Sequence, residues 1–158
     1  MILYHGSNVS IEKVDLNKCK PFKDFGRAFY LSSDLAQAEE VANSRVVFFG
    51  GQAVVTRFEF DDSLLMSDLL KIKMFHSYSR DWADFVFKNR DKQNAESQSE
   101  WDIVYGPIAN DRVGVQIRKF RDLTISMSEF IEALKYMKGI TFQYAFCSEE
   151  SIKYLYRL

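Results

Sequence analysis

The pattern of apolar and polar positions divides this chain into short strands and short helices. Ile2-Leu3-Tyr4 is an apolar run closed by His5-Gly6-Ser7-Asn8, which predicts a first strand ending in a turn. Ala28 to Leu31 reads as a second strand, and Ala53 to Phe60 as a third, rich in β-branched and aromatic residues. Leu70-Lys71-Ile72-Lys73-Met74-Phe75 alternates strictly, as a strand with one buried face must. Asp102 to Pro107 and Ile140 to Cys147 complete the set, the former stopped by Gly106-Pro107.

Helical spacing fills the intervals. Ser33 or Asp34 caps a helix over Leu35 to Ala42, with acids in its early turns. Trp82, Phe85 and Val86 predict a helix from Arg80 to Lys88. Asn110-Asp111 caps a helix through Val113 and Val115. Phe130, Ile131, Leu134 and Met137 predict one from Met127 to Met137, started by Ser128, and Glu149 to Tyr154 a short last one. Residues 9–25 read as a surface loop and the almost wholly polar residues 89–100 as a mobile one. Roughly six strands and four helices, besides the one capped by Asn110-Asp111, without regular βαβ alternation predict an α+β fold with an antiparallel or split β-sheet, not a doubly wound one.

Composition narrows the class. A chain of 158 residues is the size of one domain, so residues 1–158 are read as a single unit. A net charge of −1 gives no global field for nucleic acid or membrane. The N-terminus has neither the charged nor the apolar region of a signal peptide, and no apolar run is long enough to span a bilayer. A cytoplasmic protein without membrane contact is expected. Cys19 and Cys147 form no disulfide framework and sit in no metal-ligand spacing, so no metal is expected.

Three strand-like runs each carry one polar residue that periodicity does not explain: His5, Tyr30 and Gln143. His5-Gly6-Ser7 sets an imidazole beside a residue without a side chain, where a flat ligand can pair with the main chain. Tyr30 can stack on an aromatic ring, and Phe29 and Tyr30 must point to opposite faces of a strand. Gln143 lies between Phe142 and Tyr144, and a buried amide needs partners or costs about 1–3 kcal/mol. Each has an ordinary alternative: a turn histidine, a core tyrosine, a structural amide.

In this order and context the three resemble the His–Tyr–Glu signature of ADP-ribosyltransferases of the diphtheria-toxin and poly(ADP-ribose)-polymerase type. The carrying residues are Leu3-Tyr4-His5-Gly6-Ser7, Asp24-Phe25-Gly26 running into Phe29-Tyr30-Leu31, Asp102-Ile103-Val104 with Gly106-Pro107, and Gln143-Tyr144-Ala145-Phe146. The chain as a whole is similar to a bacterial domain family of unknown function grouped with that fold. Ala28 stands where a second glycine is common, and Gln143 where the glutamate belongs.

The resemblance implies an ADP-ribosyltransferase-like split antiparallel sheet flanked by helices, with NAD as substrate. It implies that His5 bonds the adenosine ribose and that the Gly6 backbone pairs with the nicotinamide carboxamide. Ser7 would hold a ribose hydroxyl, Tyr30 would stack on nicotinamide, and Gln143 would stand at the catalytic position. Arg27 joins the set through a local basic cluster with Lys18, Lys20 and Lys23, which suits a pyrophosphate or nucleic-acid phosphate. Cleavage passes through an oxocarbenium-like state that a carboxylate stabilises; Gln143 accepts a hydrogen bond but carries no charge.

Three outcomes follow: mono-ADP-ribosylation with Gln143 as an orienting group, recruitment of another carboxylate such as Asp111, or nucleotide binding with little chemistry. The acceptor would be a protein or nucleic acid, and a small antitoxin-like partner would fit a toxin or defence role. The alternative class is a catalytically weak NAD-, nucleotide- or partner-binding module. A phosphotransferase-like reading on RNA is weaker, because the motifs hold few arginines. Trp82, Asp84 and Trp101 are expected to be core or surface residues, and His76 exposed.

Overall fold

The computed structural model describes all residues except 94–98, 110, 136 and 138, and leaves aside the side chain of Asp111. The described strands are β1 (Ile2–Ser7), β2 (Phe29–Leu31), β3 (Val54–Glu59), β4 (Ile72–Met74), β5 (Ile103–Pro107), β6 (Phe142–Phe146) and β7 (Tyr156–Arg157). The described helices are α1 (Leu35–Phe49), α2 (Arg80–Arg90), α3 (Asp111–Arg121), α4 (Met127–Lys135) and α5 (Glu149–Ile152). They form a mixed α+β fold with two sheets, ordered β1-β3-β7 and β2-β6-β5-β4. All pairings are antiparallel except β4 with β5.

The sheets meet at one point. Tyr4 and Ser32 exchange backbone hydrogen bonds of 2.7 and 2.9 Å, and β1 and β2 diverge beyond that bridge. Strand alternation sorts the core into two bodies. Phe29 and Leu31 of β2, Tyr144 and Phe146 of β6, and Ile103 of β5 pack with Leu3, Phe58 and Phe60 between the sheets. Ala145 and Val104 face the other way, toward Trp82, Val86, Phe130 and Leu134 of the helices. Phe29 and Tyr30 therefore do serve opposite faces, as their spacing requires.

Several expected boundaries move. His5 and Gly6 lie inside β1 rather than in a turn after it, because β3 pairs through Ser7↔Val54. Asp34 is the cap of α1, its carboxylate accepting from the amide of Ala36 at 2.9 Å. That helix continues past Ala42 to Phe49, where Gly50 (φ 71°) stops it and donates to the Val46 carbonyl at 2.8 Å. α2 likewise runs two residues further than its apolar spacing, so Asn89 and Arg90 are helical. The remainder of the expected mobile loop includes residues 94–98, outside the described set, as does the expected cap at Asn110. Glu129 and Ser126 exchange side-chain-to-backbone bonds at the start of α4, so Ser126 rather than Ser128 begins it. Within residues 9–25, Leu16 belongs to a short 3-10 turn, and Leu16, Asp24 and Phe25 are buried. Trp82 is in the core and His76 is exposed, as their contexts suggest.

A candidate binding cleft where the two sheets part

A cleft of about 640 Å³ opens beside the point where β1 and β2 diverge. His5, Gly6, Tyr30 and Gln143 line it, together with Asp24, Lys23, Arg45 and Arg90. That volume is in the range of small-molecule sites. The register explains the meeting. Tyr30 stands opposite Ala145 on β6, and Gln143 lies two residues from Ala145, so Tyr30 and Gln143 share the helix-facing side of the sheet.

His5 is held on two sides. Its ring stacks on Phe29 with centroids 4.3 Å apart, and its Nδ1 lies 2.8 Å from the Tyr30 carbonyl oxygen. A carbonyl only accepts, so Nδ1 carries the proton. Burial, with a smaller contribution from the nearby Arg45 charge, lowers the imidazole's pKa despite that bond. The ring is neutral near pH 7, and Nε2 keeps its lone pair as an acceptor.

Tyr30 is anchored by its hydroxyl, which donates to the Gly26 carbonyl (2.8 Å) and accepts from the Phe25 amide (3.1 Å). Burial pushes its pKa well above the ordinary value, so the phenol stays protonated. The hydroxyl closes the loop carrying Asp24, and the ring is what the residue offers the cleft.

Gln143 is half-buried, and its amide has a partner. Its Nε2 lies 3.4 Å from Oδ2 of Asp24, a long hydrogen bond. Asp24 also accepts from Arg90 Nε at 2.8 Å and from the Ala109 amide at 3.3 Å, and Arg90 Nη2 completes the ion pair. A carboxylate presents only acceptors, so the amide nitrogen of Gln143 must face Asp24, and among the described residues Oε1 is left as the free acceptor. The Asp24 carboxylate pushes electron density into the amide through that N–H, which strengthens Oε1 as an acceptor. Asp24 and Arg90 are the residues that motif reasoning passed over. Asp24 lies within Asp24-Phe25-Gly26 and Arg90 in the polar stretch 89–100, and neither carries a local signal of the other.

Packing requires a glycine at position 6, whatever its backbone pairs with. A Cβ there would sit 1.9 Å from the Ala38 carbonyl oxygen and 2.9 Å from the Ala42 amide nitrogen, so the missing side chain is what lets α1 lie on β1. The backbone of Gly6 is a separate matter. Strand alternation turns its N–H and C=O toward the same edge as those of Tyr4, the edge β2 leaves after the bridge.

The other expected ligand residues lie elsewhere. Ser7 ends β1 opposite Val54 and is not among the lining residues. Arg27 does not line the cleft either; its guanidinium donates to the carbonyls of Asn17 and Cys19. The basic cluster read from residues 18–27 is thus dispersed. Lys18 lies 4.0 Å from Asp15, Lys20 sits over the Phe49 ring at 5.2 Å, and Lys23 lines the cleft. The Asp111 side chain lies outside the described residues.

Comparison with known families places residues 1–156 in a domain family described as a protein of unknown function, DUF3990, and the chain belongs to that family. No curated protein matches it. Among the described residues, no helix is long and apolar enough to cross a membrane.

Proposed function

We propose that the cleft binds NAD and transfers its ADP-ribose to a protein or nucleic-acid acceptor on an ADP-ribosyltransferase-like fold. The observation that carries this reading is the convergence of His5, Tyr30 and Gln143, from three strands, on one cleft, with Gln143 held by Asp24. The open backbone edge at Gly6 suits a carboxamide, which needs one donor and one acceptor side by side. The Tyr30 ring suits the face of nicotinamide, and His5 Nε2 suits a ribose hydroxyl proton.

In the transfer, the bond between ribose C1′ and the pyridinium nitrogen breaks and its electron pair leaves with neutral nicotinamide. The acceptor's heteroatom forms the new bond to C1′ and loses its proton to solvent. Gln143 Oε1 accepts from the ribose 2′-OH and orients the sugar, while Asp24 fixes and polarises that amide. The negative charge stands one hydrogen bond further from the sugar than a glutamate would put it, and Arg90 partly offsets it. Slow mono-ADP-ribosylation follows from this arrangement, and chain extension does not. The same offset charge favours the second reading, a nucleotide-binding module with little turnover. A toxin or defence role with a small antitoxin-like partner remains part of the proposal.

The test is nicotinamide release from NAD by the purified chain, followed chromatographically alongside NAD-dependent thermal stabilisation. Release that falls at least about tenfold in His5→Ala and Gln143→Ala supports the enzyme. Stabilisation without release leaves the binding module. The absence of both effects removes both readings. Labelled NAD incubated with bacterial lysate then reports the acceptor class.

A further inference from the structure

We propose that the C-terminal end of α1 is a nucleoside-phosphate subsite, with Arg45 and Lys23 holding phosphate and the ring of Phe48 stacking on the base. It rests on the cleft being a nucleotide site, not on any glycosyl transfer there.

The first observation is where α1 goes. Ala38 and Ala42, one helical step apart, are its buried residues and pack against β1. The next turn runs beyond that contact, and Val47, Phe48 and Phe49 are 81%, 79% and 59% exposed. A contiguous run of large apolar residues on a surface is a mark of an interaction or ligand-binding site. Phe48 and Phe49 face the cleft and line it. The end is tied in place, since the Asn8 side chain donates to the Gly50 carbonyl at 3.1 Å.

The second observation is charge. Among the described residues neither Lys23 nor Arg45 makes an ion pair, although both line the cleft. The acids on the same wall are Glu40 and Asp24, and Asp24 is engaged by Arg90. The Lys23 ammonium has its pKa lowered, first by burial and then by the charge of Arg45, against the opposing pull of the Asp24 carboxylate, with Lys20 and Arg90 adding smaller amounts to the lowering. Lys23, Arg45 and Arg90 outnumber the acids Asp24 and Glu40 along this wall, and an excess of cations makes a site for an anion.

The two features are joined at Phe49. Lys20 and Arg45 lie over its ring at 5.2 and 5.6 Å, so its role is to hold those cations. Phe48, whose ring centroid is 6.5 Å from that of Phe49, is the ring left open for a ligand. An anion beside a flat aromatic group describes a nucleoside phosphate. Arg45 is also close enough to His5 to disfavour its protonated form, so a ligand anchored here extends toward the histidine.

Calorimetric titration with ADP, adenosine and inorganic pyrophosphate separates the parts. Arg45→Ala should weaken ADP and pyrophosphate at least about tenfold and leave adenosine unchanged. Phe48→Ala should weaken ADP and adenosine about fivefold or more and leave pyrophosphate unchanged. Both positions are at the surface end of the helix, and unchanged unfolding temperatures confirm intact variants. ADP that does not bind the wild-type chain, or binds both variants as well as wild type, overturns the subsite. ADP binding with this pattern but without NAD cleavage keeps the subsite and removes the transferase. NAD cleavage with ADP affinity indifferent to both substitutions does the reverse.

Discussion

At the sheet end of the cleft the polar side chains are tied down. His5 is fixed by a carbonyl and a stacked ring, Tyr30 by two backbone groups, and Gln143 by a carboxylate that itself takes an arginine and an amide. At the α1 end, Arg45 and Lys23 lack ion-pair partners among the described residues, and Phe48 is almost fully exposed. Groups that must meet a reacting sugar gain from preorganisation, because their orientation is settled before the ligand arrives. Groups that capture the rest of a large ligand need reach, and they can order on binding. Under the proposed function, chemistry and affinity reside at opposite ends.

The two ends of the cleft meet at Gly6, where α1 lies on β1. Gly6→Ala should cost more than the roughly 1–3 kcal/mol of ordinary overpacking, because the clash is with the backbone of α1 rather than a movable side chain. Thermal unfolding of the variant close to wild type would contradict the packing account. Next in size is the difference between the two arginines. Arg90→Met leaves Asp24 without its ion partner and should destabilise by about 3 kcal/mol, the lower part of the buried-pair range, since the Arg90 side chain is 27% exposed. Arg45→Met should change stability by no more than about 0.5 kcal/mol. Urea unfolding of both variants checks the contrast, and equal losses would erase it.

A smaller effect concerns pH. A histidine whose folded-state pKa lies below its unfolded value contributes stability that is present above the unfolded value and lost as pH falls. Stability should therefore decline as pH drops below 6.5, where the unfolded chain takes a proton that folded His5 resists. His5→Gln should flatten that decline in melting curves taken between about pH 7.5 and pH 5. Equal slopes in the two proteins would mean that other groups govern it.

The sequence carried the strands that bear the site, the α+β class and the opposed faces of Phe29 and Tyr30, because these follow from local period. It did not carry the reason for Gly6, since a helix backbone lying on a strand leaves no local pattern. The pairing of Asp24 with Arg90 spans 66 residues and likewise has no local signature. The overrun of α1 was within reach. Val46-Val47-Phe48-Phe49 followed by Gly50-Gly51 is a helix continuing to a glycine stop, but it breaks amphipathic spacing, so period alone ended the helix early. Two-residue β7 is too short to show any period.

The Asp24–Gln143 contact also changes what a restored glutamate should do. On sequence alone, Gln143→Glu would test for a site lacking only its charge. With Asp24 in hydrogen-bond contact, a second carboxylate would repel the first and one would be held protonated. The most direct measurement is therefore nicotinamide release from NAD by four proteins: wild type, Asp24→Asn, Gln143→Glu and the double variant. Both single variants should be slower than wild type, and the double variant faster, because it moves the charge next to the sugar and gives it an amide partner. A faster Gln143→Glu single variant, a double variant no better than Asp24→Asn, or no release from any of the four would contradict the account.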